Sequence, residues 1–241
     1  MVRLKPLKTP QALSADACLP VPRRLFADRM EAGKALAAAV KRELGEQAIS
    51  VRPLVLAIPR GGVTIGLEVA MALNAEFDLV IPRKIGAEGN PEYAIGAVMH
   101  DGTAYLNSEA VSLTGASADY IEAEKTKEMH EAARRLEAYR GGRKEPALSD
   151  RVVVVVDDGI ATGATMIAAL RWLRSRGAKM VVAAAPVAPA STIAELRQEA
   201  DLVVCPQSPE PFYAIGEFYE DFGQVSDEEV KEMLKGYWSL A

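Results

Sequence analysis

The chain has 241 residues, is 49% hydrophobic and 25% charged, and carries a formal net charge of −5. That is enough apolar material for one well-buried domain, and no break in composition marks a second. The acidic balance provides no basic field for nucleic acid or an acidic membrane surface, and the apolar runs fall far short of a membrane span. Two histidines and two cysteines leave neither zinc spacing nor a disulfide framework.

Residues 1–22 contain Pro6, Pro10, Pro20 and Pro22 with no apolar period and no apolar h-region. They are expected to form a flexible N-terminal arm and not a secretory signal, so the chain reads as a reduced, cytoplasmic protein. Residues 23–241 are expected to form a single domain. Leu25 to Leu44 places apolar residues on one helical face, and Gly45 is placed to stop that helix. Pro53 introduces a short strand, Leu54 to Ile58.

That strand runs into Pro59-Arg60-Gly61-Gly62 and then a helix from Val63 to Leu73. Two glycines between strand and helix suit an anion-binding turn, with Arg60 supplying a fork of donors. They suit an ordinary strand–helix turn equally well. Phe77 to Ile81 is the next strand. The segment from Pro82 to Tyr93 then combines Arg83 and Lys84 with two glycines and an Asn-Pro step. It reads either as a mobile functional loop or as a solvated hairpin. Ala94 to Met99 returns to apolar character, and Thr103 to Leu106 reads as a further short strand.

Ser117 to Arg140 has the pattern of a long charged helix capped by Ser117. Its apolar stripe is thin: Ile121, Met129, Ala133 and Leu136. His130 is expected at its surface, and the helix is a possible surface for a second copy of the chain.

Val152 to Val156 is a run of five β-branched residues, apolar on both faces, as a covered parallel strand requires. Asp157 and Asp158 follow at its carboxyl end, where open α/β sheets bind ligands. Next comes Ala161-Thr162-Gly163-Ala164-Thr165, hydroxyls around a glycine at the start of a helix, whose free N–H groups suit a phosphate. Lys179 to Val187, Ala190 to Glu199 and Leu202 to Cys205 continue the strand–helix alternation. The expected fold is therefore α/β, a mostly parallel sheet with helices on both faces.

The tail, 206–241, gathers Phe212, Tyr213, Phe218, Tyr219 and Phe222 in a chain only 6% aromatic. The cluster suits a stacking wall for a flat ring or a satellite core. Ser226-Asp227-Glu228-Glu229 then opens a final helix.

The stretch Val152 to Thr165 resembles the phosphoribosyl pyrophosphate signature of type I phosphoribosyltransferases. Ile58 to Gly62 is similar to that family's pyrophosphate loop, Arg83 to Val98 falls where it has a flexible catalytic loop, and the aromatic tail falls where it has a hood. More narrowly, Arg83 to Val98 and Phe212 to Val230 look like a bacterial group of predicted phosphoribosyltransferases.

The resemblance implies that Asp157 and Asp158 bind ribose hydroxyls, and that Ala161, Thr162, Gly163, Ala164 and Thr165 surround the 5′-phosphate. It implies that Arg60 and Gly61 hold pyrophosphate, with Arg83 and Lys84 neutralising it. The ring faces of Phe212 and Tyr213 would read a small aromatic base. Mg²⁺ would be held mainly by the substrate's own oxygens. Ala161 stands where members acting on 6-oxopurines often carry an acid, which disfavours hypoxanthine, guanine and xanthine. Glu92 lies near the position of the proton-donating Glu of adenine-type members, although it precedes Tyr93 instead of following it. A non-catalytic sensor of phosphoribosyl pyrophosphate is the alternative within the same fold.

Three other readings fail on spacing. A receiver domain needs its acids near the chain start, a P-loop needs a Lys that Gly159 to Thr165 lacks, and no G-x-S-x-G elbow is present.

Overall fold

In the computed structural model, residues 24–50 and 52–239 are described, with side chains omitted for 46–50. The expected arm at 1–22 lies outside the described residues. Five strands form one parallel sheet in the order β2-β1-β6-β7-β8: β1 Leu54–Ala57, β2 Glu76–Leu79, β6 Val152–Val156, β7 Met180–Ala184 and β8 Leu202–Val204. The valine strand β6 is the middle strand. All five valines are buried, and burying one valine side chain is worth about 1.5–3 kcal/mol. Val154 and Val156 pack into one layer and Val153 and Val155 into the other, as the two-residue period of a strand dictates.

The first layer holds α1 Arg29–Ser50, α2 Gly61–Leu73 and α7 Asp227–Trp238, and the second holds α5 Ala164–Ser175 and α6 Ala190–Glu199. Helices therefore cover both faces, as the alternation predicts. No helix among the described residues is long and apolar enough to cross a membrane.

The segment after β2 forms a second, three-stranded antiparallel sheet: β3 Arg83–Ala87, β4 Asn90–Val98 and β5 Ala104–Leu106. The segment is a hairpin, but one with a buried side and not a solvated one. Ile85, Ala87, Ile95 and Val98 give it an apolar side, which packs with Ala110 and Ile121. Ala110 belongs to α3 Ser108–Thr114, a short helix with no clear sequence signal, capped by Asn107 Oδ1 accepting from Ala110 N at 2.9 Å.

The long helix α4, Ala118–Arg140, is capped by Ser117 as expected, and His130 is exposed. Of the predicted stripe, Ile121 and Leu136 are buried and Met129 is half-buried against the hairpin's apolar side. Glu128 and Ala132 are buried between Ile121 and Leu136, while Ala133 is exposed. At its C-terminus, buried Arg140 pairs with buried Asp78 of β2 at 3.0 Å.

Helix α1 starts at Arg29, four residues later than the periodicity suggests, because Leu25 and Phe26 are used elsewhere. Their N–H groups both donate to Phe218 O, at 2.9 and 3.0 Å, and Phe26 bridges Tyr219. Gly45 breaks the helical backbone as expected, but helical turns resume through Ser50.

Candidate functional site

The strand ends at β1 and β6, the start of α2, the β3–β4 hairpin and the middle of α4 enclose one cleft of about 470 Å³. Its wall on the main sheet is formed by Ile58 to Gly61, Asp157, Asp158 and Thr165. The opposite wall comes from Pro82, Arg83, Lys84, Gly86, Pro91 and Glu92 of the hairpin and from Glu124, Lys127 and Glu128 of α4. The fold thus gathers most of the predicted site residues from three separated segments, and α4 adds a fourth that was not predicted.

Asp157 and Asp158 follow the last residue of β6. Asp157 Oδ1 accepts the Asp158 backbone N–H at 2.8 Å, which fixes its carboxyl group. Burial pushes Asp157 well above the usual carboxylate range, and the neighbouring Asp158 pushes it further. Burial also raises Asp158, opposed by the Arg29 guanidinium. Two acids so placed suit hydroxyl recognition, since a diol satisfies acceptors without bringing in another negative charge.

Gly61 opens α2 directly against the Asp158 carboxylate. A Cβ at this position would collide with Asp158 Oδ2, so only glycine allows the approach. Arg60, the N-cap residue of α2, lies 3.5 Å from Asp227 Oδ1 at the start of α7. Asp227 also accepts from the Tyr139 hydroxyl at 2.6 Å. Together the two groups hold Asp227 below the usual carboxylate range, the Tyr139 bond contributing most. The Arg60 turn is thereby braced by α4 and α7.

In the loop before α5, Ala161 and Thr162 are exposed, and Gly163, at φ 78°, is the N-cap residue. That left-handed backbone suits glycine and turns the chain into the helix. Thr192 Oγ1 of α6 donates to Ala161 O at 2.7 Å and steadies the loop. Gly163 caps α5 with no side-chain bond, which leaves its first-turn N–H groups for a ligand. Ala164 and Thr165 form that first turn, and Thr165 borders the cleft.

Lys84 and Glu92 are exposed along the hairpin. Arg83 Nε donates to Glu128 Oε2 at 2.7 Å. Phe212 and Tyr213 lie away from the cleft lining. Phe212 packs on Phe218 with centroids 4.9 Å apart, and Tyr213 is 79% exposed. Most of the aromatic cluster is core: Phe218 and Tyr219 are buried, and the Tyr219 hydroxyl donates to Asp158 O at 2.6 Å.

Sequence reasoning missed two residues here. Arg29 Nε donates to Asp158 Oδ2 at 2.8 Å, and its guanidinium stacks 3.9 Å from the Phe222 ring centroid. Glu128 is paired with Arg83. Arg29 left no local signal. Nor did Glu128, which adjoins the predicted apolar stripe of its helix without belonging to it.

Residues 27–222 match the phosphoribosyl transferase domain. Two Mycobacterium tuberculosis proteins (strains CDC 1551 and H37Rv), each called a "putative phosphoribosyl transferase", are 41% identical over 211 residues, 88% of this chain. The chain spans 46% of their length, about half of each. The crystal structure of TT1426 from Thermus thermophilus is 42% identical and superposes with a TM-score of 0.73, covering 88% of this chain and 98% of that one. On the strength of that coverage, the chain belongs to the phosphoribosyl transferase family and has the type I fold.

Proposed function

We propose that the protein transfers ribose 5-phosphate from phosphoribosyl pyrophosphate to a nitrogenous base, or runs the reverse, with pyrophosphate as the leaving group. One observation carries this reading. Two half-buried acids at the end of the central strand share one wall of a single cleft with Arg60, beside a helix N-terminus, and face Arg83 and Lys84 on the other wall. Sugar hydroxyls, a 5′-phosphate and a pyrophosphate each find a group of matching chemistry at one place.

Asp157 and Asp158 accept the ribose hydroxyls. Backbone N–H groups and hydroxyls from Ala161 to Thr165 hold the 5′-phosphate. Arg60 and Arg83 offer planar forks to pyrophosphate oxygens, and Lys84 adds a point charge. A nitrogen lone pair forms the new bond at C1 of the ribose as the bond to pyrophosphate breaks, and the electron pair leaves on the pyrophosphate. Stabilisation of that departing charge raises the rate only where the contacts strengthen in the transition state.

Mg²⁺ fits the donor set, since carboxylate and phosphate oxygens are hard ligands. Asp157 and Asp158 would hold it together with substrate oxygens. Bound there, it would neutralise leaving-group charge. Glu92, exposed at the cleft edge, would exchange a proton with the acceptor. A base read by Phe212 and Tyr213 requires the tail to close over the cleft, since neither ring borders it. The lack of an acid at Ala161 favours acceptors other than 6-oxopurines.

Calorimetry should show Mg²⁺-dependent binding of phosphoribosyl pyrophosphate, and a panel of nucleobases should show pyrophosphate release with at least one. No binding at millimolar ligand rejects the reading. Binding without release on a broad panel replaces it with a donor-sensing regulator.

A further inference from the structure

We propose that Glu128 is a positioning residue: it holds Arg83 beside the cleft before ligand arrives and yields it to the incoming pyrophosphate. This rests on the phosphoribosyl transfer reading above, and it assigns a role to the long helix α4.

Glu128 lies midway along α4 with its side chain only 10% exposed. A carboxylate so buried is tolerated only when paired. Its Oε2 accepts from Arg83 Nε at 2.7 Å, and its Oε1 lies 3.8 Å from Lys127 Nζ. Lys127 is itself bound to Glu124 at 2.8 Å. This wall of the cleft therefore sets three cations, Arg83, Lys84 and Lys127, against three carboxylates, Glu92, Glu124 and Glu128. Without ligand it has no net positive charge to offer a polyanion.

The pair engages Arg83 through Nε, so the two terminal nitrogens of the fork are not consumed by it. Arg83 is thus held with its orientation set in advance. Pyrophosphate must then compete with Glu128 for its charge. The competition weakens ground-state binding and, on the return path, lets Glu128 recapture Arg83 and speed product release. A purely structural Glu128 would behave in the opposite way, since disturbing its support of Arg83 could only weaken binding.

The test is titration of Mg²⁺-pyrophosphate into the full chain by calorimetry. Glu128→Gln keeps the shape and the hydrogen-bond acceptor but removes the charge. Affinity should rise about tenfold, the order expected from removing one competing charge at contact distance, with slower pyrophosphate release by stopped flow. Glu131→Gln removes a charge from the same helix, where Glu131 pairs, among the described residues, with Arg134 and Arg135 away from the cleft. It should leave the affinity unchanged. Unchanged or weaker binding in Glu128→Gln overturns the proposal, as does equal tightening in Glu131→Gln.

A second readout needs no variant. In the wild-type protein the Arg83 Nε–H resonance should move as Mg²⁺-pyrophosphate saturates the site, and a stationary resonance at saturation overturns the hand-over. If the wild-type protein binds neither pyrophosphate nor phosphoribosyl pyrophosphate, the transfer reading falls together with this one. Normal binding with Glu128 indifferent removes this one alone.

Discussion

Arg29 and Asp158, 129 positions apart, meet at 2.8 Å, and the same guanidinium covers the Phe222 ring and donates to Gly223 O. One side chain at the start of α1 therefore ties an acid of the cleft to the C-terminal tail. Replacing it by alanine leaves the half-buried Asp158 without its counter-charge. Its carboxyl group, already raised by burial, would rise further. Arg29→Ala should weaken donor binding about tenfold, the loss expected for one charge-assisted hydrogen bond. The deficit should grow as the pH is lowered, because the protonated acid accepts poorly. Titrations at several pH values check this, and a pH-independent deficit would reject the electrostatic account.

Asp157 should show a conflict between stability and binding. Its folded pKa is raised, by burial first and by Asp158 second. For such a group the contribution to stability is fully present below the unfolded pKa and is lost as pH rises through the folded value. At neutral pH the unliganded site is thus destabilised by its own acid. Asp157→Asn keeps an oxygen for the Asp158 N–H and removes the charge. It should raise stability at pH 7 by about 0.5–2 kcal/mol, with little gain at pH 3, while donor affinity falls. Urea unfolding at the two pH values measures this, and a variant destabilised at pH 7 contradicts it.

The parts legible in the sequence are those whose signal is local. The five valines, the two acids and the Gly163 loop announce a central parallel strand with a ligand site at its end, and the periodicity of α5 and α6 supports the layers. What escaped depends on pairing across the chain. Arg83 reads as a cation for a pyrophosphate group, and nothing near it in sequence reveals that α4 returns Glu128 and Lys127 to the same cleft. Phe212 to Phe222 reads as a ring-binding wall or a core with equal ease, because aromatic clustering does not show which faces are covered. Packing decides it mostly for core, through Leu25 and Phe26 zipping onto Phe218.

Gly61 offers a test that separates the site from the fold. It is the first residue of α2, and a methyl group there would strike Asp158 Oδ2 and the Arg29 Nε beside it. The backbone is already helical, so Gly61→Ala brings no conformational penalty of its own. The carboxylate must move instead. The variant should keep its melting temperature within a few degrees while donor binding falls at least tenfold. A folded variant with wild-type affinity would show that Asp158 does not contact the donor.

Asp78 and Arg140 anchor α4, and with it the far wall of the cleft, to the edge strand β2. Arg140 Nη2 lies 3.0 Å from Asp78 Oδ2, both side chains are less than 10% exposed, and the guanidinium also donates to Leu79 O. Burial raises Asp78 above its ordinary range despite the cation, so desolvation outweighs the attraction. Such a pair is costly to break singly and cheap to remove whole. Arg140→Met should destabilise the protein by about 3–5 kcal/mol, because it strands a buried carboxylate. Asp78→Leu combined with Arg140→Met should recover most of that loss. Because the pair sits outside the cleft, the double variant should bind the donor nearly as the wild type does. Urea denaturation of the two single variants and the double variant gives the coupling, and additive losses would show that the two side chains act independently.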